Sequence, residues 1–280
     1  MENFIKTLKH EKITLEESFN YSFDILKINR KKFLVPLLLL TGIYILASIF
    51  RVFITKENDT GNFYLIMYTL IVAFVGYVIY AGIKIEVTNF IENGQKIDNP
   101  INSGSRVMKK VIICGILYYA ILILIGTIAG FFIAFSILLA TTSKMAAIFF
   151  LSIVTIIMVV VITFIFIKLS FFQNIYYVRN LDLVSSFRYS VHIIKGYFIK
   201  VLLTKIVFLI LNLILSVPIF LINVFMIPSK NIYFIIIGIV IQGIVYLLMF
   251  FFNFIAVFII SLFYLNAEYL DLKVVIDNNN

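Results

Sequence analysis

Six stretches of this chain run for about twenty residues or more with no more than an isolated charge inside, and that continuity restricts the fold more than any other feature. A hydrocarbon core of about 30 Å requires roughly twenty helical residues at 1.5 Å each. A transmembrane β-barrel would need ten-residue segments of alternating polarity instead. Hydrophobic residues occupy 62% of the 280 positions and charged residues only 13%, a balance that a water-facing globule of this size cannot hide within itself. The chain therefore reads as a single all-α integral membrane domain over residues 1–280, a polytopic transmembrane helical bundle of six spans.

The spans are expected at Phe33–Ile54, Phe63–Ile83, Val111–Thr142, Met145–Tyr177, Val201–Ile227 and Ile232–Leu265. Some exceed the needed length: Val111–Thr142 would extend about 48 Å if straight, so it must tilt, kink or protrude. The connectors divide the basic residues unequally. Of the 23 lysines and arginines, 19 fall on the side holding both termini and the segments 84–110 and 179–200, against Arg51, Lys56, Lys144 and Lys230 on the other. The excess of cations on cytoplasmic loops then places both termini inside, in a multi-pass protein of a bacterial cytoplasmic membrane. The polar stretch Met1–Lys32 is too long for the charged region of a secretory leader, so the first span is expected to be retained. The formal charge of +9 has this topological origin, which removes the need for a nucleic-acid partner. It also predicts attraction to anionic lipid headgroups.

A self-similarity links Thr14–Lys27 with Asp182–Lys195. Ser18, Phe19, Tyr21, Ser22, Ile25 and Lys27 recur 168 residues later as Ser186, Phe187, Tyr189, Ser190, Ile193 and Lys195. Thr14 with Glu17 forms a capping-box signature, and Asp182 stands at the matching helix start. Leu15, Phe19, Phe23 and Leu26, echoed by Leu183, Phe187, Val191 and Ile194, stripe one face of each short helix. These eight residues are the candidate membrane-interface set. Near half that offset, Asp98-Asn99-Pro100 starts a third copy whose Ser103, Gly104 and Ser105 replace the bulky residues. Three pseudo-repeats follow, about 14–92, 98–178 and 182–267, each a cytoplasmic amphipathic interfacial helix and then a transmembrane hairpin.

The Ser-Phe-x-x-Ser helix ending in Lys27 before the first span, repeated at Ser186 to Lys195 before the fifth, resembles a bacterial group of six-helix membrane proteins. That group includes the membrane domain fused to glycerophosphodiester phosphodiesterases. The resemblance covers nearly the whole chain and implies a cytoplasmic-membrane protein with a link to lipids. It carries over neither a reaction nor a catalytic residue.

Enzymatic signatures are missing from the sequence. The two histidines, His10 and His192, form no metal motif, Cys114 is the only cysteine, and there is neither a nucleophile elbow nor a phosphate-binding loop. Catalytic residues, metal and cofactor are therefore all expected to be absent. Glu86, Glu92, Glu268 and Asp271 lie near span ends, with no buried acidic pair visible. Candidate headgroup or substrate contacts are Lys27, Lys31, Lys32, Lys168 and Lys195, together with the amides Asn212, Gln242 and Asn253. For the amides the ordinary reading is hydrogen bonding between helices. For Lys168 it is an amine that snorkels to the interface.

The first functional expectation is a non-enzymatic protein that handles lipid or another amphiphile, or organises the membrane, with membrane lipids as partners. The alternative is a transport permease, such as the membrane subunit of an ATP-driven exporter, with a partner ATPase or a homo-oligomer. An intramembrane lipid-modifying enzyme is the third and weakest reading.

Overall fold

The computed structural model describes residues 7–54, 59–94, 96–179, 181–227, 229 and 231–278. Lys6, Lys56 and Lys230 from the charge tally lie outside the described residues, as do the side chains of Arg51 and Lys273. The described residues contain helix almost throughout and no strand. In chain order the α-helices are α1 (Leu15–Ile28), α2 (Arg30–Ile54), α3 (Asp59–Asn93), α4 (Pro100–Arg106), α5 (Met108–Thr142), α6 (Lys144–Lys168), α7 (Phe172–Val178), α8 (Leu183–Ile193), α9 (Phe198–Leu221) and α10 (Ile232–Asn278). Six stretches are long and apolar enough to cross a membrane: Arg30–Phe50, Met67–Asn93, Met108–Thr142, Lys144–Val178, Leu183–Met226 and Ile232–Leu272. The protein is an all-α polytopic bundle.

The three motif helices α1, α4 and α8 each begin on a side-chain cap. The Thr14 hydroxyl accepts the Glu17 N–H at 3.2 Å while the Glu17 carboxylate accepts the Thr14 N–H at 2.7 Å, a reciprocal arrangement that satisfies two otherwise orphaned donors. Asn99 accepts from Ile101 N–H ahead of Pro100 in the first turn of α4, and Asp182 accepts from Val184 and Ser185. In all three copies the serine four residues after the cap is buried: Ser18 and Ser186 at 0% exposure and Ser103 at 5%.

The packing of α4 explains why its copy of the motif lacks bulky side chains. A Cβ on Gly104 would lie 2.0 Å from the Val78 carbonyl oxygen, and one on Gly82 would lie 1.6 Å from that of Pro100. The backbones of α3 and α4 touch, so only glycine fits at either position. Gly94, at φ +62°, ends α3 in the left-handed conformation that glycine adopts without a steric penalty.

The core gathers around α10. Phe258, Ile259, Leu262, Phe263, Tyr264 and Leu265 are fully buried, covered by α1, α2, α3 and the turn at Ile194–Tyr197. The C-terminal half of α10 is buried on every side, whereas its first turns, with Ile232, Tyr233 and Ile236, are exposed. Two predicted boundaries move. The apolar pattern predicts an end of the second span at Ile83, yet α3 continues to Asn93, with Val87 and Ile91 also buried, at 0% and 1%. The fourth stretch is interrupted: α6 stops at Lys168, and α7 starts at Phe172 after a turn in which Leu169 and Phe171 are buried.

Candidate functional site

The interface stripe divides between two environments. Leu15, Phe19 and Leu26 are half-buried against the main core and Leu183 against a smaller one, and Val191 is half-buried too. Phe23 and Phe187 are each 44% exposed. Ile194 must be struck from the candidates, since it begins the turn after α8 and is fully buried in the core. The side that α1 and α8 bury consists of Ser18, Ser22 and Ile25, and of Ser186, Ser190 and Ile193. A small hydroxyl can return its proton to the preceding turn, as Ser22 does to the Ser18 carbonyl at 2.7 Å, so it leaves room for close helix approach.

The three amide candidates pair across helices. Asn212 of α9 donates to Asn253 of α10 at 3.0 Å, and Gln242 donates at 3.0 Å to Asn223, in the widened turn Ile222–Met226 that follows Pro218. Lys168 lies at the C-terminus of α6 with its ammonium 5.2 Å from the Phe164 ring centre. Lys27 and Lys195 are solvent-exposed at the ends of the first and third motifs.

Many cations at this end of the bundle are already engaged. Lys205 donates to the Phe166 carbonyl at 2.8 Å and Lys110 to that of Tyr176 at 2.8 Å, closing the last turns of α6 and α7. Lys200 bonds the Ile13 carbonyl, and Lys84, buried in α3, donates to Gln173. Arg179 donates to both Glu92 of α3 and Glu268 of α10, and reaches the Tyr264 hydroxyl at 3.0 Å. Two carboxylates read separately from the sequence thus meet on one guanidinium. The guanidinium bridges both, which makes the trio a clamp between helices. Asn266 is also fully engaged: it accepts from Ile13 N–H and the Tyr197 hydroxyl and donates to the carbonyls of Leu8 and Glu11.

Four further cations meet at the corner between α1 and α2. Asn29 caps α1, and its carbonyl accepts from Lys32 N–H at 2.9 Å, so a single residue separates the two helices. Arg30, Lys31 and Lys32 consequently crowd the first turn of α2, which contains no acidic residue. Three cations at the positive end of a helix repel both it and one another. Across from them stands Lys96, and the four enclose a cavity of about 370 Å³ completed by Ile28, Asn29, Phe90 and Ile97. Among the described residues Arg30, Lys31 and Lys96 have no ion-pair or hydrogen-bond partner, whereas Lys32 lies 3.9 Å from Asp98. Lys31 and Lys32 were legible as candidates. Arg30 and Lys96 were not, because only the folded corner brings Lys96 within range.

No group of three or more metal-ligating side chains exists among the described residues. In comparisons with known proteins, the chain matches no family model, no curated protein and no solved structure.

Proposed function

We propose that this is a non-enzymatic protein of a bacterial cytoplasmic membrane that handles an anionic lipid or a similar amphiphile, with both termini on the cytoplasmic side. The cavity formed by Arg30, Lys31, Lys32 and Lys96 supports this reading. Like charges gathered at a helix N-terminus are stabilised by an anion, and a phosphate is well suited to that position. Ile28, Phe90 and Ile97 supply apolar surface beside the cations, as a molecule with an anionic head and a hydrocarbon tail would require. The corner lies where the first apolar stretch begins and the second ends, at the level of lipid headgroups.

Native mass spectrometry of the full chain, released from nanodiscs of mixed phosphatidylglycerol and phosphatidylcholine, tests the proposal. Retained phosphatidylglycerol, lost in a Lys31→Gln/Lys32→Gln/Lys96→Gln variant, supports it. Equal retention of the two lipids contradicts it. Reporter fusions at Lys96 and the C-terminus should read inside, and fusions at Lys144 outside.

One observation favours the permease as a second reading. The α5–α6 hairpin has little of its apolar surface covered by the rest of the chain, so a partner subunit has room to pack there. Co-purification of an ATPase with the protein would support it.

A further inference from the structure

Polar side chains from four helices meet at one depth inside the bundle. Asn212 lies 14 residues after the start of α9 and Tyr44 14 residues after the start of α2, while Tyr80 precedes the end of α3 by 13 residues and Asn253 precedes Asn266 by 13. Each stands about 20 Å along its helix from the end that holds the basic corner, well within a hydrocarbon core of about 30 Å. Asn212 donates to Asn253, and Asn253 stands beside the Tyr80 hydroxyl. The belt is open at both ends. Asn212 Oδ1 is buried without a partner, and the hydroxyls of Tyr44 and of the neighbouring Tyr77 make no hydrogen bond among the described residues.

Tyr44, Tyr77 and Tyr80 line a cavity of about 280 Å³ between α2 and α3, closed on the α10 side by Phe250. No charged side chain borders it. Its walls are flat: Tyr44 packs against Phe250 and Tyr246 with ring centres 4.9 and 5.3 Å apart, and Tyr80 meets Phe254 edge-on at 5.7 Å. Gly76 contributes no side chain, and a Cβ there would meet only Leu40, at 3.9 Å. Tyr77 is 42% exposed, so the cavity opens on a surface that faces lipid. The hydroxyls of Tyr44 and Tyr77 lie within electrostatic range of each other.

A phenol hydroxyl held in hydrocarbon without a partner is costly. The partner that suits this space is uncharged, because no ion lines it, and flat, because its walls are rings. It also brings acceptor oxygens. The ester carbonyls of bilayer phospholipids lie near the interfaces and do not supply them at this depth. We propose that the cavity binds the ring of a lipid-soluble carbonyl compound of the quinone class, with its oxygens accepting from the Tyr44 and Tyr77 hydroxyls. This site is separate from the basic corner and does not rest on the anionic-amphiphile reading.

The test measures uptake of 2,3-dimethyl-1,4-naphthoquinone and of 2,3-dimethylnaphthalene, the same ring frame without oxygens, by equilibrium dialysis of the full chain in phosphatidylcholine nanodiscs against empty nanodiscs. The quinone should bind saturably and about twentyfold more tightly, as two neutral hydrogen bonds provide. Tyr44→Phe and Tyr77→Phe should each weaken the quinone about fivefold while leaving the hydrocarbon unchanged, which also reports that the cavity is intact. Gly76→Leu, which fills the cavity, should abolish uptake of both probes. Lys31→Gln/Lys32→Gln/Lys96→Gln should bind the quinone as the native chain does. Equal affinity for the two probes, a parallel loss of both in the phenylalanine variants, or uptake no greater than in empty nanodiscs would overturn the proposal. So would quinone binding that survives Gly76→Leu or is lost with the three lysines.

Discussion

Two helical hairpins have opposite fates in this protein. Half of the most apolar stretch of α3 is buried within the chain, whereas none of that of α6 and only 6% of that of α5 is covered. Burial does not rise with hydropathy as it would in water, since α6 is the more apolar of the two and the less covered. What separates them is polar and small-residue patterning. Helix α3 carries Gly82 for α4, Lys84 for Gln173, Glu86 for Ser103 and Glu92 for Arg179. The α5–α6 hairpin has no comparable set, and a Cβ on Gly126 or Gly130 would meet nothing within 4 Å. In a bilayer, where lipid solvates apolar side chains as well as protein does, such specific contacts decide which helices associate.

The contrast can be broken by substitution. Phe258→Ala, at the fully buried centre of α10, should cost about 3–5 kcal/mol in reversible unfolding from mixed micelles. Phe149→Ala in α6, a residue 70% exposed, should cost less than about 0.5 kcal/mol. A comparable loss at both positions would mean that the outer hairpin is packed by something as tightly as the core.

Arg179→Ala should cost about 3 kcal/mol, near the lower end for a broken buried ion pair, because 31% of the arginine side chain reaches solvent. It leaves Glu92 and Glu268 facing each other without the cation they share, so Arg179→Lys, which keeps the charge, should lose less stability than Arg179→Ala. If the two variants lose the same stability, the clamp is not electrostatic.

Glycine substitutions sharpen the comparison further. Gly82→Ala forces a Cβ into the Pro100 carbonyl and should destabilise by about 1–3 kcal/mol while loosening α4, read as faster exchange of the α4 amides. Gly126→Ala should change stability by no more than about 0.5 kcal/mol.

The all-helical class and the six spans could be read directly, because runs such as Val111–Thr142 admit no other solution. The caps at Thr14, Asn99 and Asp182 could be read as well, since a cap depends only on residues within one turn. The buried side of the short helices could not. Ser18, Ser22, Ser186 and Ser190 look like a polar face, and only a close neighbouring helix makes a hydroxyl preferable to a leucine there. Arg179 gave no local sign of joining Glu92 to Glu268, which are 87 and 89 residues away. Half of the basic corner was visible in Lys31 and Lys32, but Lys96 belongs to it only through the turn at Gly94.

The smallest expected effect concerns the caps that hold the basic end together. Hydrogen bonds from the Thr14 backbone and hydroxyl keep the Glu17 carboxyl below its usual range, and the Ser185 hydroxyl and N–H do the same for Asp182. Both groups therefore contribute stability above their unfolded pKa values, and that contribution is lost as pH falls through the lower folded values. Amide exchange in the first turns of α1 and α8 should accelerate below about pH 4, with no matching change in α5 or α6.

The central claim is that anionic headgroups collect at the corner of α1, α2 and α3 and not along the uncovered hairpin. Photo-crosslinking with a headgroup-labelled anionic lipid, followed by peptide mapping of the full chain, tests it directly. Adducts should concentrate at residues 28–32 and 96–97 and disappear with Lys31→Gln/Lys32→Gln/Lys96→Gln. Adducts distributed over the ends of α5 and α6, or unchanged by those substitutions, would contradict it.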